Sequence, residues 1–377
     1  MTAQPLAVGI VCDLLEERWP SMDLVADQLL RALPDVPDPR IAAVRLRPAM
    51  PRWAAALADG TGIRALRNAN RYADRHLRYP RWLRANRGDA DVYHVVDHTY
   101  AHLVHELPAA RTVVTCHDVD AFRCLFDPSA EPRSRAFRRM TARVLDGLRA
   151  AALVACDSEA TRRALADNGL RREGTVVVPL GVDATFSPPA QLEPTRSVTL
   201  LHVGSTIPRK RIDVLLRTFA GVRAVLPEAV LVRVGGELTA EQSALARELG
   251  VLAAIRTLPF LSTQALAGVY RSATLVLLPS DREGFGLPLV EALACGTPVL
   301  ASDLGVLREV GGEAATYAPA ADVGAWTRTT LSLLDEQASN PGAWEARRQA
   351  GITRAAQFTW PRCAERMARL YAEVAHA

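Results

Sequence analysis

The most informative segment of the sequence is Ser280-Asp-Arg-Glu283-Gly-Phe-Gly286-Leu-Pro288-Leu-Val-Glu291-Ala-Leu-Ala-Cys-Gly-Thr-Pro-Val299. It follows an apolar run at 274–278 that predicts a buried strand, and Pro288 suits the first turn of the helix expected at 288–294. Gly284 and Gly286 allow the backbone of the loop between them to approach a ligand closely. Because a helix N-terminus offers unpaired N–H groups and a partial positive charge, we expect an anion there.

Strands and helices alternate on both sides of this stretch in the second half of the chain. Strands are predicted at 198–203, 230–234, 255–258, 274–278 and 299–301, and helices at 212–222, 240–249, 266–272 and 288–294. This alternation indicates a parallel sheet covered by helices on both faces. Ligands of such sheets bind beyond the carboxyl ends of the strands.

The first half of the chain shows the same alternation. Strands are predicted at 6–12, 41–46, 92–96, 112–116, 153–156 and 176–179, with a helix at 22–33. We therefore predict an α/β protein with two doubly wound, Rossmann-like domains that face each other across a cleft. The predicted parts are a first domain at 1–187, a linker at 188–197, a second domain at 198–358 and a helix at 359–377 that packs back toward the first domain. A chain of 377 residues suits two cores.

Composition excludes several classes of protein. The net charge is only +4 and is spread over both halves, so no domain is expected to bind nucleic acid. The six cysteines lack metal-like spacing and are expected to be reduced, and no signal peptide or spanning segment is predicted, which favours a cytoplasmic protein. No G-x-G-x-x-G motif follows the first strand, which argues against a dinucleotide oxidoreductase.

Two carboxylates flank the glycine loop of the opening stretch. Glu283 precedes the glycines and Glu291 lies in the following helix, so both are expected at the same mouth. A carboxylate is a poor partner for a phosphate, but it accepts hydrogen bonds from the vicinal hydroxyls of a ribose or a hexose. The combination of an anion site with two carboxylates suits a sugar nucleotide.

Glu283 and Glu291, with Gly-Phe-Gly-Leu between them, resemble the E-x7-E motif of glycosyltransferase family 4 and its relatives of GT-B fold. The resemblance continues through Ala294-Cys-Gly-Thr-Pro-Val and extends over about residues 90 to 377. It implies that Glu283 contacts the transferred hexose and that Glu291 holds the nucleoside ribose. It also implies that the loop residues contact sugar and diphosphate: Gly284, Phe285, Gly286 and Leu287.

A basic pair follows the first strand of the second half. The segment from Gly204 to Arg209 and Lys210 places a glycine turn and two cations at a strand end. It resembles the family's Arg-Lys pair, which neutralises the leaving diphosphate. Lys210 is the only lysine among the 45 basic residues, which counts against the alternative of a solvated charge pair. The resemblance also includes the stretch around Phe260, which is predicted to line the donor site.

Two histidines and a tryptophan are candidate site residues in the first domain. His117 follows a strand, and the resemblance implies that it hydrogen-bonds the donor sugar; a purely structural histidine is the alternative. His98 is expected to border the acceptor. The loop after the first strand lacks the glycine pair of many relatives, and Trp19 lies there instead, so we place Trp19 on the acceptor side.

Other patterns are weaker. His94, His98, His102 and His105 recur at metal-like intervals, but no further ligand completes a set, so no metal site is expected. Arginines repeat on one face of a helix that Pro80 is predicted to end, within the segment from Arg64 to Arg87. Such a face is usually solvated, yet its interleaved aromatic residues also suit the anionic inner face of a membrane.

The resemblance implies a retaining glycosyltransferase. Such an enzyme would move a hexose, with mannose among the candidates, from a nucleoside-diphosphate sugar to a glycan or a lipid-linked acceptor. It would need no metal and no other cofactor. Two alternatives remain open at this point: a GT-B-shaped sugar-nucleotide epimerase, and a sugar-nucleotide-binding protein without catalytic activity.

Overall fold

A computed structural model describes residues 4–17, 20–49, 64–170, 173–190 and 198–377. The chain forms two compact units. The first comprises Met1–Leu180 with Trp360–Ala377, and the second comprises Gly181–Thr359. The second unit thus begins ahead of position 187, where the sequence predicts the end of the first domain.

The first unit contains a parallel six-stranded sheet. Its strands are β1 (Leu6–Val11), β2 (Ile41–Leu46), β3 (Val92–Val95), β4 (Thr112–Cys116), β5 (Leu153–Cys156) and β6 (Thr175–Val177). Its helices are α1 (Pro20–Ala32), α2 (Arg64–Ala73), α3 (Tyr79–Asn86), α4 (Arg123–Phe126), α5 (Arg135–Ala150) and α6 (Glu159–Asp167), and a 3-10 helix spans His98–Glu106. The strand order is β2-β1-β3-β4-β5-β6. Since β1 lies between β2 and β3, the order reverses between β1 and β3, and such a switch point is where doubly wound sheets bind ligands.

The last helix of the chain, α14 (Trp360–His376), belongs to the first unit. Cys363, Met367 and Tyr371 on its apolar face are buried. The Tyr371 hydroxyl lies 2.7 Å from Nδ1 of His94 on β3, and Nε2 of the same ring lies 2.7 Å from Oγ1 of Thr115. These contacts tie α14 to the sheet and use both nitrogens of His94.

The second unit repeats the architecture. Its strands are β7 (Thr199–Val203), β8 (Val230–Val234), β9 (Ile255–Leu258), β10 (Leu275–Leu278), β11 (Val299–Ser302) and β12 (Thr316–Ala318). Its helices are α7 (Ile212–Val225), α8 (Ala240–Glu248), α9 (Thr263–Ser272), α10 (Leu287–Ala294), α11 (Gly305–Gly311), α12 (Val323–Ser339) and α13 (Pro341–Ala355). The parallel order β12-β11-β10-β7-β8-β9 places the switch point between β7 and β10. Two doubly wound α/β units are therefore confirmed.

One prediction about the basic segment is wrong. Pro80 does not end a helix, because the chain is already helical where α3 begins at Tyr79, and α3 carries Pro80 in its first turn. A π-helical turn at Asp74–Arg78 joins α2 to α3. Within the described part of the chain, no helix has both the length and the apolar character needed to cross a bilayer.

Candidate active site

The loops that follow β7 and β10 meet at the switch point of the second sheet, because the two strands are paired neighbours. There the Lys210 ammonium lies 2.6 Å from Oε1 of Glu283, and the Arg209 guanidinium lies 3.1 Å from Oε2 of the same carboxylate. The structure thus brings together three of the predicted catalytic residues, although 73 positions separate Lys210 from Glu283. We call Gly204, Arg209, Lys210 and Glu283 the second-sheet edge.

Burial and charge oppose each other at Glu283. Burial raises the pKa of this carboxyl, but the charges of Lys210 and Arg209 more than offset it and bring the pKa to about 2. The carboxylate is therefore ionised at neutral pH and neutralised by its two partners. The side chains of Lys210 and Glu283 are each only 9% exposed, so Lys210 is not part of a solvated charge pair.

Backbone contacts fix the two loops against each other. The Asp281 N–H donates to the Arg209 carbonyl at 2.8 Å, and the Arg209 guanidinium donates to the Arg282 carbonyl at 2.8 Å. Arg211 has a left-handed φ of +48° and bonds Asp213 and Asp281. These contacts fix the positions of the cations, which is the preorganisation that charge stabilisation requires.

Two glycines of the site have a positive φ, which L side chains rarely adopt. Gly286 has φ +95°, and a Cβ there would come within 2.7 Å of Leu307 Cδ2. Gly204 has φ +154°, and a Cβ there would make ordinary van der Waals contacts with the His202 ring and with Lys210 Cε. At Gly204 the backbone conformation, rather than a lack of space, therefore favours glycine.

Glu291 lies on α10 and is 7% exposed. The Tyr270 hydroxyl, from α9, donates to its Oε2 at 2.8 Å. Burial raises the pKa of Glu291 to about 7, with Asp183 acting in the same direction and the Tyr270 hydrogen bond acting against both. The Glu291 carboxyl therefore gains or loses its proton near neutral pH, and its Oε2 already accepts the hydrogen bond from Tyr270.

The other predicted donor residues differ in exposure. The Phe285 side chain is buried and packs edge-on against Phe358, with 5.6 Å between the ring centres. The side chain is therefore part of the core, and the backbone of Phe285 is not. Leu287 is half-buried at the start of α10, and Phe260 is 66% exposed just after β9.

His117 lies at the carboxyl end of β4 and is 6% exposed. Its Nδ1 lies 2.6 Å from Oδ2 of Asp157, and its Nε2 lies 2.8 Å from the Val96 carbonyl. Burial lowers the pKa of His117, but Asp157 and Asp97 more than offset it and raise the pKa to about 9. The ring is therefore an imidazolium with both N–H groups engaged, and in this arrangement it has no nitrogen left for a sugar.

His98 packs beside His117. Its Nδ1 accepts a hydrogen bond from the His117 backbone N–H at 3.3 Å, and its ring contacts Phe122. Trp19, the other predicted acceptor-side residue, lies outside the described residues. The remaining histidines of the metal-like pattern bind separate backbone groups: His102 the Arg75 carbonyl and His105 the Arg143 carbonyl. Over the described ranges, no three His, Cys, Asp or Glu side chains form a group that could hold a metal.

The sequence did not single out several residues of these sites. Asp13, Asp97 and Asp157 each follow a strand of the first sheet, and Tyr270 contacts Glu291. A polar residue directly after a buried strand is a signal that could have found the three aspartates. Nothing local marks Tyr270, since its partner is 21 positions away.

The basic segment is not a uniform solvated face. Arg75 turns inward, where it pairs with the buried Glu17 at 3.2 Å and lies 4.1 Å from the centre of the Tyr100 ring. Arg71, Arg81 and Arg84 are exposed, and Arg84 pairs with Glu106. The prediction of one arginine face is therefore wrong for Arg75.

Two family models match the chain. The model described as Glycosyltransferase Family 4 matches residues 25–186, and the model described as Glycosyl transferases group 1 matches residues 183–351. A relative from Mycolicibacterium smegmatis, named D-inositol 3-phosphate glycosyltransferase, is 34% identical over 55% of this chain and 49% of its own. The chain spans about half the length of the relatives it matches.

Solved structures share the fold over nearly the whole chain. HepE of Anabaena, solved with UDP and glucose, has a TM-score of 0.75 at 16% identity, covering 98% of this chain and 100% of that one. A sucrose-phosphate synthase from Thermosynechococcus elongatus has a TM-score of 0.72 at 20% identity, covering 98% of both chains.

Proposed function

This chain belongs to glycosyltransferase family 4 and has the GT-B architecture, and from this premise we propose that it is a retaining hexosyltransferase. The donor is a nucleoside-diphosphate sugar, with mannose among the candidate hexoses, and the acceptor is a glycan or a lipid-linked sugar. The observation that carries the proposal is the cluster of Arg209 with the buried Lys210 and Glu283 side chains at the switch point of the second sheet.

The cluster suggests how a donor is engaged. Glu283 is paired with both Lys210 and Arg209. A diphosphate is a stronger partner for these two cations, and its arrival frees the Glu283 carboxylate to accept hydrogen bonds from the hexose hydroxyls. Glu291 offers its second oxygen to the ribose in the same way.

The chemistry then follows from charge. As the glycosidic bond to the diphosphate breaks, negative charge grows on the leaving oxygen, and the fixed cations stabilise it. The acceptor hydroxyl attacks from the face that the diphosphate leaves, so that the configuration is retained. The departing phosphate oxygen takes the hydroxyl proton, and the step needs no side-chain base.

The proposal is tested by measuring nucleoside diphosphate released from the donor with and without acceptor. Thermal shifts against a panel of nucleoside diphosphates and nucleotide sugars first identify the donor. Release that depends on acceptor supports transfer. Conversion of the donor sugar without release would instead indicate an epimerase, and binding with neither reaction would indicate a non-catalytic protein.

We also propose that turnover needs no metal, because side-chain cations stand where the leaving charge develops. Activity should persist in excess EDTA. Loss of turnover in EDTA that Mg²⁺ or Mn²⁺ restores would contradict this part of the proposal.

A peripheral contact with anionic lipid remains a proposal for the segment from Arg64 to Arg87. It rests on the exposed arginines Arg71 and Arg81, since Arg75 pairs with Glu17 and Arg84 with Glu106. Co-sedimentation with vesicles that contain anionic lipid should fall with salt and with R71E/R81E. Equal co-sedimentation with neutral vesicles would contradict it.

A further inference from the structure

A buried arginine lies close to the second-sheet edge. Arg233 is on β8, and of the arginines that the structure describes it alone is buried, with 0% of the residue exposed. Its register partner on β7 is His202, which is also 0% exposed, so the two side chains lie side by side on one face of the sheet. Arginine is almost never fully buried unless it is paired, because removing its charge from water is costly.

The charge of Arg233 is not neutralised in this way. Its Nη1 donates to the Gly236 carbonyl at 3.3 Å, whereas its Nε and Nη2 meet no acceptor among the described residues, which include the whole of the loops that follow β7, β8 and β10. Burial lowers the pKa of Arg233, and the opposing carboxylate, Glu237, is exposed to solvent, which screens its charge. Water would satisfy the N–H groups without neutralising the guanidinium, so the charge itself requires an explanation.

His202 connects Arg233 with the second-sheet edge. A Cβ on Gly204 would lie 3.4 Å from Cε1 of His202 and 3.5 Å from Cε of Lys210, so the imidazole ring and the lysine side chain flank the same point. Burial, Arg233 and Lys210 lower the pKa of His202 well below its ordinary value, against the charge of Glu283. The ring is therefore neutral at pH 7, and it lies within the electrostatic field of all three charges.

The charges around this ring do not cancel. Lys210 and Glu283 are each 9% exposed and form an ion pair, which leaves the guanidinium of Arg233 as an excess buried positive charge. The diphosphate of a nucleotide sugar carries two negative charges. Together with Glu283, it would outnumber Arg209 and Lys210, and a third cation restores the balance.

Resting on the function proposed above, we propose that Arg233 is a positioning residue of the donor site, a buried cation that attracts the diphosphate bound at Lys210 without touching it. The interior of the protein has a low dielectric, so the attraction persists at distances over which water would screen it. The neutral His202 does not compensate the charge. The folded enzyme is destabilised by the unpaired guanidinium, as expected where a binding function conflicts with packing.

The test uses ligands that share a base and differ in phosphate: a nucleoside, its monophosphate and its diphosphate, in the uridine, guanosine and adenosine series. Isothermal titration calorimetry with the full chain measures each Kd. Arg233→Met removes the charge and keeps a long side chain. We expect it to weaken binding of the diphosphate about tenfold and of the monophosphate less, and to leave binding of the nucleoside unchanged.

Stability provides an independent measurement. Because Arg233→Met replaces an unpaired buried charge with an apolar side chain, its Tm should rise, and the Gly236 carbonyl is half-buried and can be solvated instead. Arg233→Lys restores the charge and should recover diphosphate binding to within about threefold of the wild type. Leu231→Met, at a buried position of the same strand, is the matched control and should leave all three affinities unchanged.

Several outcomes would overturn this inference alone. Equal losses for nucleoside and diphosphate, or a lower Tm for Arg233→Met than for Leu231→Met, would make Arg233 a structural residue. Unchanged diphosphate binding in Arg233→Met, or binding by Arg233→Lys as weak as by Arg233→Met, would show that its charge does not act on the ligand. Failure of the wild type to bind any nucleoside diphosphate or nucleotide sugar would instead overturn the proposed function, and this inference with it.

Discussion

The two sheets of this protein end in edges of the same topology but opposite charge. At the second-sheet edge, two cations converge on Glu283, and each group has a partner. Where the strands of the first sheet end, four aspartates stand beside two histidines, and the buried Asp13 and Asp97 carboxyls hydrogen-bond each other. The two sheets share a topology, and the difference between them lies in the residues that follow each strand.

We expect the largest effect from the substitution of Lys210 in the second-sheet edge. Lys210→Ala removes a cation that acts on charge growing during the reaction, so we expect kcat to fall about a hundredfold or more. Steady-state kinetics with the identified donor measures this. Arg223→Ala, in the same unit and bonded to the Ala229 carbonyl, is the control and should retain kcat. A near-normal kcat in Lys210→Ala would show that the second-sheet edge is not the donor site.

Asp157→Asn tests whether Asp157 holds His117, at the end of β4 in the first sheet, as a buried imidazolium. The pKa of His117 is raised to about 9 by Asp157 and Asp97 against burial, from an ordinary value of 6.5. The stabilisation is therefore fully present below about pH 6.5 and is lost as pH rises through 9, and it amounts to about 3 kcal/mol.

Thermal unfolding of the wild type and Asp157→Asn at several pH values checks this. The difference in Tm should be largest below pH 6.5 and should shrink toward pH 9, whereas Asp146→Asn, which changes an exposed carboxyl on α5 paired with Arg149, should show no such trend. A difference in Tm that is constant with pH would mean that His117 is not charged by this pair.

Much of this architecture is predictable from sequence, and particular elements show why. The strands at 41–46, 112–116 and 230–234 have the predicted bounds, since each is a short apolar run between turn signals. The three residues of β12 are too few to show a period, and that strand was not predicted.

Site residues that lie close together in the sequence are predictable. The glycine loop and its two glutamates lie within one strand–loop–helix unit, so sequence alone marks them. The pairing of His117 with Asp157 spans 40 positions, and that of Arg75 with Glu17 spans 58. Such partners are set by strand order and helix packing, which local periodicity does not encode.

Glu291→Gln tests the proposed contact between Glu291 and the ribose of the donor. The amide cannot serve the ribose as a carboxylate does, so donor KM should rise about tenfold with little change in kcat, as expected for a contact made equally in ground and transition states. Because the pKa of Glu291 is raised by burial to about 7, wild-type donor KM should itself rise as pH falls below 7. Donor KM of the variant should be flat with pH.

The same variant should be more stable than the wild type at high pH. The folded protein holds the Glu291 proton up to about pH 7, whereas the unfolded chain releases it near 4.5, so wild-type stability falls as pH rises across this window. Glu291→Gln removes that fall, which is up to about 3 kcal/mol. Lower stability of Glu291→Gln at pH 8, measured by thermal unfolding, would contradict the buried carboxyl described here.

The smallest expected effect concerns Tyr270, which positions Glu291 through its hydroxyl at 2.8 Å. That hydrogen bond lowers the pKa of Glu291 against burial, so Tyr270→Phe should move the acid limb of donor kcat/KM to higher pH. At pH 7 donor KM should rise about threefold, with kcat unchanged. Tyr317→Phe loses a half-buried hydroxyl of the same unit that bonds the Leu307 and Gly312 carbonyls, and serves as the control. Loss of packing or of a hydroxyl in general would affect both variants alike and would leave the limb in place. An acid limb that shifts only in Tyr270→Phe assigns the tyrosine to the control of Glu291, and an unmoved limb removes that assignment.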